Sequence, residues 1–152
     1  MMTEYFYFED GKGYVPAHRH PNGGGWVADT AYVAPSAYVA FNAKVFNYAE
    51  VHGDVVISDC ARISNYSRIS GEIIISNYSR VSGIQRSDGY TFIYVPDADG
   101  VMKVQAGCRD FTMKEAKIHW IVTRGGTPLG DETMEILKFL KRLSKVKPER
   151  CV

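Results

Sequence analysis

Branched hydrophobic residues recur every six positions through the middle of the chain. Two positions after most of them comes a turn-forming residue, and four positions after most of them comes a small one. The repeated positions run without a break and all carry a β-branched side chain: Val27, Val33, Val39, Val45, Val51, Ile57, Ile63, Ile69, Ile75 and Val81.

This period excludes a helix and favours a coil of short strands. An α-helix has 3.6 residues per turn, so a period of six would spread the branched residues around its whole surface. A short strand followed by a bend fits better, with one branched residue per strand pointing inward and a small residue letting the corner close. Three such units make a three-sided coil, and successive coils stack at about 4.8 Å. The pattern predicts a mainly β protein built on a parallel β-helix of about three coils over residues 26–85.

The 25 residues before the repeat read as an N-terminal cap, because a short β-helix has open strand edges at both ends. Residues 5–9 predict a strand, and the Gly-, Pro- and His-rich stretch after them predicts a loop.

Residues 86–152 predict a C-terminal β-hairpin and two α-helices within the same structural domain. The hairpin pairs residues 90–95 with 101–106. Thr112 and Glu115 form a capping-box pattern for a helix to about Trp120, and a second amphipathic helix follows Asp131.

The hexad pattern resembles the hexapeptide-repeat family over roughly residues 26–85. This resemblance implies a left-handed β-helix and a threefold homotrimer. The segment AGCRDFTMKEAKIHW is similar to the tail of small hexapeptide-repeat proteins of phages and prophages, which are often labelled transferases without a demonstrated activity. The fold hosts acyltransferases, carbonic-anhydrase-like enzymes and non-enzymatic proteins, so the resemblance implies a scaffold more than a reaction.

Composition limits the classes of partner and the cellular compartment that we expect. Lys and Arg total 18 against 17 Asp and Glu, a net charge of +1 that argues against coating bulk nucleic acid. Three cysteines without a CxxC pair argue against a disulfide framework and a zinc site, and favour a reducing cytosol. The first residues do not resemble a secretory signal, and no apolar stretch is long enough to span a membrane. We therefore expect a cytoplasmic protein.

Eighteen-residue stacking sorts the outward residues into three columns. The first is basic, with Tyr48 and Tyr66 beside it, the second is mixed, and the third is apolar, with Tyr78 nearby. In order, the columns are Trp26, Lys44, Arg62 and Arg80; then Tyr32, Glu50 and Arg68; then Tyr38, Val56 and Ile74.

The third column predicts a contact surface, because exposed Val and Ile on such a face usually meet another surface. One interpretation is the subunit interface of a homotrimer. The other is cover by the protein's own C-terminal helix.

The first and second columns suggest a site for a small anionic ligand. The phrase Ser-Asn-Tyr-Ser-Arg occurs twice and places Arg68 and Arg80 on different faces, which would meet at a cleft between trimer subunits. Arginine matches phosphate or carboxylate, and a tyrosine ring can stack on a base. The alternative is solvated charges in which Arg pairs with Glu50, Asp54 and Glu72. The candidate ligand-binding residues are Lys44, Tyr48, Arg62, Tyr66, Arg68, Tyr78 and Arg80.

Three function classes follow. The first is binding of a nucleotide-like ligand without catalysis and without a cofactor, one version being a phage-type protein that sequesters a host nucleotide signal. The second is acyl transfer from acetyl-coenzyme A, with His52 as general base and Ser70 one coil above it. Two observations argue against acyl transfer. His52 also fits an ordinary surface histidine, and no loop that could shape an acceptor site interrupts the repeat. A rigid spike ranks third.

Other candidate groups carry weaker signals. His18 and His20 form an HxH pair that could grip a metal, but no third ligand is evident and we expect no metal site. Cys60 is expected to be an unpaired thiol packed at an interface. The glycine run at 22–25 precedes a strand and lacks the pattern of a phosphate-binding loop.

Overall fold

The computed structural model describes residues 2–75, 80–107 and 109–145. Those residues form a mainly β structure whose centre is a stacked-coil β-solenoid of about three turns, followed by two helices. Its elements are β1 Glu4–Tyr7, β2 Tyr14–Arg19, β3 Trp26–Ala28, β4 Tyr32–Val33, β5 Tyr38–Val39, β6 Lys44–Val45, β7 Glu50–Val51, β8 Val56–Ile57, β9 Arg62–Asn65, β10 Arg68–Ile69, β11 Ile74–Ile75, β12 Arg80–Gln85, β13 Thr91–Pro96, β14 Met102–Ala106, β15 Arg109–Phe111, α1 Met113–Arg124 and α2 Pro128–Leu143.

The coils stack in the register that the period of six predicts. Parallel strands form three faces: β3-β6-β9-β12 is the first, β4-β7-β10 the second and β5-β8-β11 the third. The partners are offset by eighteen residues, as in Lys44 opposite Arg62 and Tyr38 opposite Val56. The predicted columns are therefore confirmed for the described residues. The left-handed sense of the coil stays a prediction of the resemblance.

The repeated branched side chains fill the interior of the solenoid. Nine of the ten are buried, and Val33 in the first coil is partly buried. Small residues close the corners, and Ser67 satisfies its buried hydroxyl by donating to the Ser64 carbonyl at 2.8 Å. Asn47 and Asn65 both turn with φ of 59°, a left-handed conformation that asparagine tolerates better than most residues. The hexad thus specifies both the core and the bends.

Both ends of the first face are closed by antiparallel strands, which gives one sheet of nine strands, β1-β2-β3-β6-β9-β12-β13-β14-β15. Residues 14–19, expected as a loop, form β2 and pair with both β1 and β3. The expected C-terminal hairpin gains a third strand, β15. These additions occupy the edge hydrogen-bonding groups that a short solenoid would leave open.

The glycine-rich loop closes the lower edge of the third face. The Val39 amide donates to the Asn22 carbonyl, and the Gly25 amide donates to the Val39 carbonyl, each at 3.0 Å. A Cβ at Gly25 would lie 2.3 Å from the Val39 side chain, so only glycine allows this approach. The run at 22–25 is therefore a structural cap.

The helices begin and end where local capping groups allow. Thr112 and Glu115 form the predicted capping box of α1, which continues past Trp120 to Arg124. α2 begins three residues before the expected Asp131, because the Thr127 hydroxyl caps it and Pro128 suits its first turn. Their buried side chains pack against the C-terminal strands in a second apolar cluster that includes Phe92, Val104, Trp120, Leu137 and Leu140. Among the described residues, neither helix is long and apolar enough to cross a membrane.

Candidate functional site

An open cleft of about 620 Å³ lies between the second face of the solenoid and the C-terminal strands. We call it the second-face cleft. The solenoid contributes His52, Arg68 and Ser70, and the strands contribute Tyr90 and Gln105 among others. The register that puts Val51 opposite Ile69 also puts His52 below Ser70, as the sequence predicted. Two predicted candidates, His52 and Arg68, thus meet in one site.

Arg68 presents most of its guanidinium to the cleft and to solvent. Its side chain is 74% exposed, and its ion pair with Glu50 is long, with 3.9 Å between Nε and Oε1. The same Glu50 oxygen lies 3.1 Å from Nε2 of His52. The expected pairing of Arg68 with Glu50 therefore exists, but its length and exposure leave the guanidinium available to another anion.

His52 is held from two sides. Its Nε2 contacts the Glu50 carboxylate, and its ring lies 5.1 Å from the ring of Tyr32, centroid to centroid. Both partners belong to the second column, which the eighteen-residue register aligns. A half-exposed imidazole oriented by a carboxylate can bind an anion when protonated or accept a proton when neutral.

The opposite wall depends on a buried arginine that sequence reasoning missed. Arg86 donates twice to Asp88, at 2.9 and 2.8 Å, and once to the Thr133 hydroxyl of α2, at 3.0 Å. The hydrogen bonds from Arg86 are the main reason that the pKa of Asp88 falls to about 2. This pair fixes the turn that carries Tyr90 into the cleft. The Asp-Gly dipeptide between two strand-like segments was a signal for that turn.

The N-terminal segment covers part of the basic first column. Lys44 lies 5.9 Å from the ring of Phe6, and Arg62 donates to the Phe8 carbonyl and lies 4.8 Å from the ring of Phe46. Burial is the main cause that lowers the pKa of both cations, and the next is a like charge, Arg62 for Lys44 and Arg80 for Arg62. The first column is therefore a partly buried row of cations within the chain.

Arg62 and Arg80 meet in a separate pocket of about 300 Å³, which we call the first-face pocket. It lies between the first face, the N-terminal segment and the C-terminal half of α2, with Lys12 and Phe139 on its walls. Nε of Arg80 is buried and has no hydrogen-bond partner among the described residues. The structure thus divides the predicted arginines between two sites.

The tyrosines predicted beside the basic column form an exposed stack. The rings of Tyr48 and Tyr66 are nearly parallel, with centroids 5.7 Å apart, at the corner between the first and second faces. Tyr78, the third predicted aromatic residue, lies outside the described residues.

The two histidines of the HxH motif bond to different partners. Nδ1 of His18 lies 2.7 Å from Asp29, whereas Nε2 of the buried His20 lies 2.8 Å from the Ala37 carbonyl oxygen. Across residues 2–75, 80–107 and 109–145, no three or more His, Cys, Asp or Glu side chains cluster in a way that could hold a metal ion.

The expectation for Cys60 was wrong. Cys60 is buried and disulfide-bonded, not an unpaired thiol. An odd number of cysteines excludes pairing of all three, but it allows one bridge. The other two, Cys108 and Cys151, lie outside the described residues. The cysteine count therefore gives no ground for assigning a reducing compartment.

Sequence reasoning also missed a basic groove of about 240 Å³ between the helices. Its lining consists of cationic side chains, most of them exposed, and Lys138 forms an exposed ion pair with Glu135 at 3.3 Å. Because its described lining residues are all lysine or arginine, it has the character of a solvated face. The lining residues are Lys117, Lys138, Lys141, Arg142 and Lys145.

Comparison of the chain with protein-family models, with curated proteins and with solved structures finds no match.

Proposed function

We propose that the protein binds a small anionic, nucleotide-like ligand in the second-face cleft and holds it without changing it. One observation carries this proposal: the cleft combines an exposed arginine, a histidine and a serine hydroxyl with a tyrosine on the opposite wall. A volume of about 620 Å³ suits a small-molecule ligand. The residues of the second-face cleft support binding of a ligand. Sequestration of a nucleotide signal is one form that such binding would take.

The chemistry of the walls favours a phosphate-bearing ligand. The guanidinium of Arg68 offers paired donors that match phosphate oxygens, and Ser70 adds a hydroxyl. Tyr90 and Gln105 add a ring and an amide that can recognise the rest of the molecule. The exposed stack of Tyr48 and Tyr66 offers a further aromatic surface at the corner beside Arg68.

The proposal includes a homotrimer that packs through the third face. Ile74 on this face is 63% exposed, and Tyr38 is exposed as well, so neither is covered by the chain's own helices. α2 packs instead on β12 and β13. A threefold assembly through the apolar third column would leave the second-face clefts next to neighbouring subunits.

Arg68→Gln is expected to weaken ligand binding at least tenfold, because it removes the charged donor of the cleft. The measurement is the thermal unfolding midpoint of the full chain titrated with adenosine diphosphate and with coenzyme A. Saturable binding raises the midpoint of the wild-type protein by mass action. The matched control is Arg124→Gln, which removes the same charge from the exposed end of α1 and should leave the titration unchanged. Absence of a saturable shift with either ligand would reject the proposal.

A second candidate function is acyl transfer from acetyl-coenzyme A. The contact of 3.1 Å between Nε2 of His52 and Glu50 favours it. With Nε2–H donating to the carboxylate, Nδ1 carries the lone pair. It could take the proton of an acceptor hydroxyl or amine as that group attacks the thioester carbonyl and releases the coenzyme A thiol.

His52→Gln separates the two functions. Under acyl transfer, the wild-type protein releases free thiol from acetyl-coenzyme A in the presence of an amine or alcohol acceptor. His52→Gln then lowers that rate at least 100-fold, which is roughly the contribution of a general base. Under the binding function, we expect no thiol release above the uncatalysed rate from either protein. The assay is colorimetric detection of the thiol, with Arg124→Gln again as control.

A further inference from the structure

The first-face pocket holds a buried hydrogen-bond donor without an acceptor. Nε of Arg80 is shielded from solvent and makes no hydrogen bond with the described residues. Buried donors in folded proteins nearly always have a partner, so an exception often marks a place where a water, an ion or a ligand binds. Arg80 also lines the first-face pocket, so an unsatisfied donor lies at the edge of the pocket, where a small shift of the guanidinium would let it meet an acceptor atom of a ligand.

Like charges stacked along the coil axis make the same pocket electropositive. The register of β9 and β12 places Arg80 directly next to Arg62. Burial, followed by the charge of Arg80, lowers the pKa of Arg62. Among the described lining residues, Asp10 contributes a carboxylate, whose oxygen accepts from the Lys12 amide at 3.1 Å, and the charges of Glu9 and Asp10 raise the pKa of Arg62 in part. An anion between the two guanidinium groups would relieve their repulsion.

A chain of side-chain hydrogen bonds leads to one further donor at the first-face pocket, the Ser82 hydroxyl. Nζ of Lys12 donates to Asn47 at 3.4 Å, Asn47 donates to Asn65 at 3.0 Å, and the Asn65 amide donates to the Ser82 hydroxyl oxygen. Because that oxygen already accepts a hydrogen bond, the hydroxyl hydrogen of Ser82 can donate to a ligand. This chain of hydrogen bonds thus leaves the Ser82 hydroxyl as a donor on the polar side of the pocket.

The remaining wall is apolar. Phe46 of the solenoid and Phe139 and Leu143 of α2 line it. We propose that the first-face pocket is a second binding site, separate from the second-face cleft, for a small organic acid with one carboxylate or phosphate group and an apolar body. The oxyanion lies between Arg62, Arg80 and Ser82, and the apolar body lies against Phe139 and Leu143.

Isothermal titration of the full chain tests this site with phenyl phosphate and benzoate, and with neutral benzamide as comparison. We expect saturable binding of at least one anion and none of benzamide. Arg80→Gln should weaken binding at least tenfold and Ser82→Ala severalfold, because each removes one donor to the oxyanion. Arg124→Gln, at the exposed end of α1, should leave this affinity unchanged. Stronger binding of phenyl phosphate would identify phosphate as the preferred group, and stronger binding of benzoate would identify carboxylate.

The variants keep this proposal distinct from the proposed function. If Arg80→Gln does not fold, as judged by circular dichroism, Ser82→Ala and Phe139→Ala provide the test, since one alters a hydroxyl and the other the exposed part of α2. Failure of both anions to saturate, equal binding of benzamide, or full affinity in Ser82→Ala together with Phe139→Ala would overturn the second site. Loss of anion binding in Arg68→Gln alone would assign the binding to the second-face cleft and would also overturn it.

Discussion

Ile63→Ala is expected to lower the free energy of unfolding by about 3 kcal/mol, a loss typical of removing a large aliphatic side chain from a packed core. Ile63 is fully buried and lies in the middle of its inward column, between Val45 and Val81 of the neighbouring coils. A solenoid of about three turns has few layers, so the surrounding coils cannot collapse into the gap without breaking their hydrogen-bonded register. Urea denaturation followed by circular dichroism measures the change.

The matched control is Ile121→Ala, which removes the same atoms from a side chain that is mostly exposed on α1. We expect the control to change the free energy of unfolding by less than about 1 kcal/mol. Equal effects of the two substitutions would show that the inward column does not carry the stability of the solenoid.

Ile74→Glu is expected to convert the proposed trimer into a monomer while leaving the fold intact. Its side chain points away from the core on the third face, so a carboxylate there faces water in the isolated chain. In a trimer packed through this face, three copies would bring unpaired carboxylates into an apolar interface, which is strongly unfavourable. Size-exclusion chromatography with light scattering should give about three times 17.0 kDa for the wild-type protein and a single 17.0 kDa chain for the variant.

Val122→Glu is the control for this experiment, because Val122 is an exposed apolar residue on α1 and belongs to none of the third-face strands β5, β8 and β11. It should leave the mass unchanged. Circular dichroism should be the same for all three proteins. A monomeric wild-type protein, or a variant that keeps the wild-type mass, would contradict the assignment of the third face as the interface.

The solenoid could be predicted in detail because its signal is periodic. Each hexad specifies an inward residue, a bend and a corner. An error of one position in the register would therefore have misplaced every column. The columns of the described residues agree with the expectation. The capping box of α1 was equally local. The start of α2 was missed because Thr127 as a cap and Pro128 in the first turn outweighed the position of the amphipathic pattern.

The candidate sites could be predicted only in part. His52 and Arg68 could be placed in one column system, but the wall opposite them comes from the turn fixed by Arg86 and Asp88. The position of Arg62 next to Arg80 on neighbouring strands could be predicted from the eighteen-residue register. Their enclosure by the N-terminal segment and α2 was not, because those segments are distant in sequence and carry no repeat.

The six-residue period by itself determined which side chains point inward and which outward columns they leave, because strand geometry and coil stacking are local consequences of residue order. Only the tertiary structure decided which columns remain accessible. The N-terminal segment and α2 dock on the first face, and the C-terminal strands border the second. The physical reason is that docking depends on how well segments that are distant in sequence fit and bury one another, and the six-residue spacing carries no information about that fit.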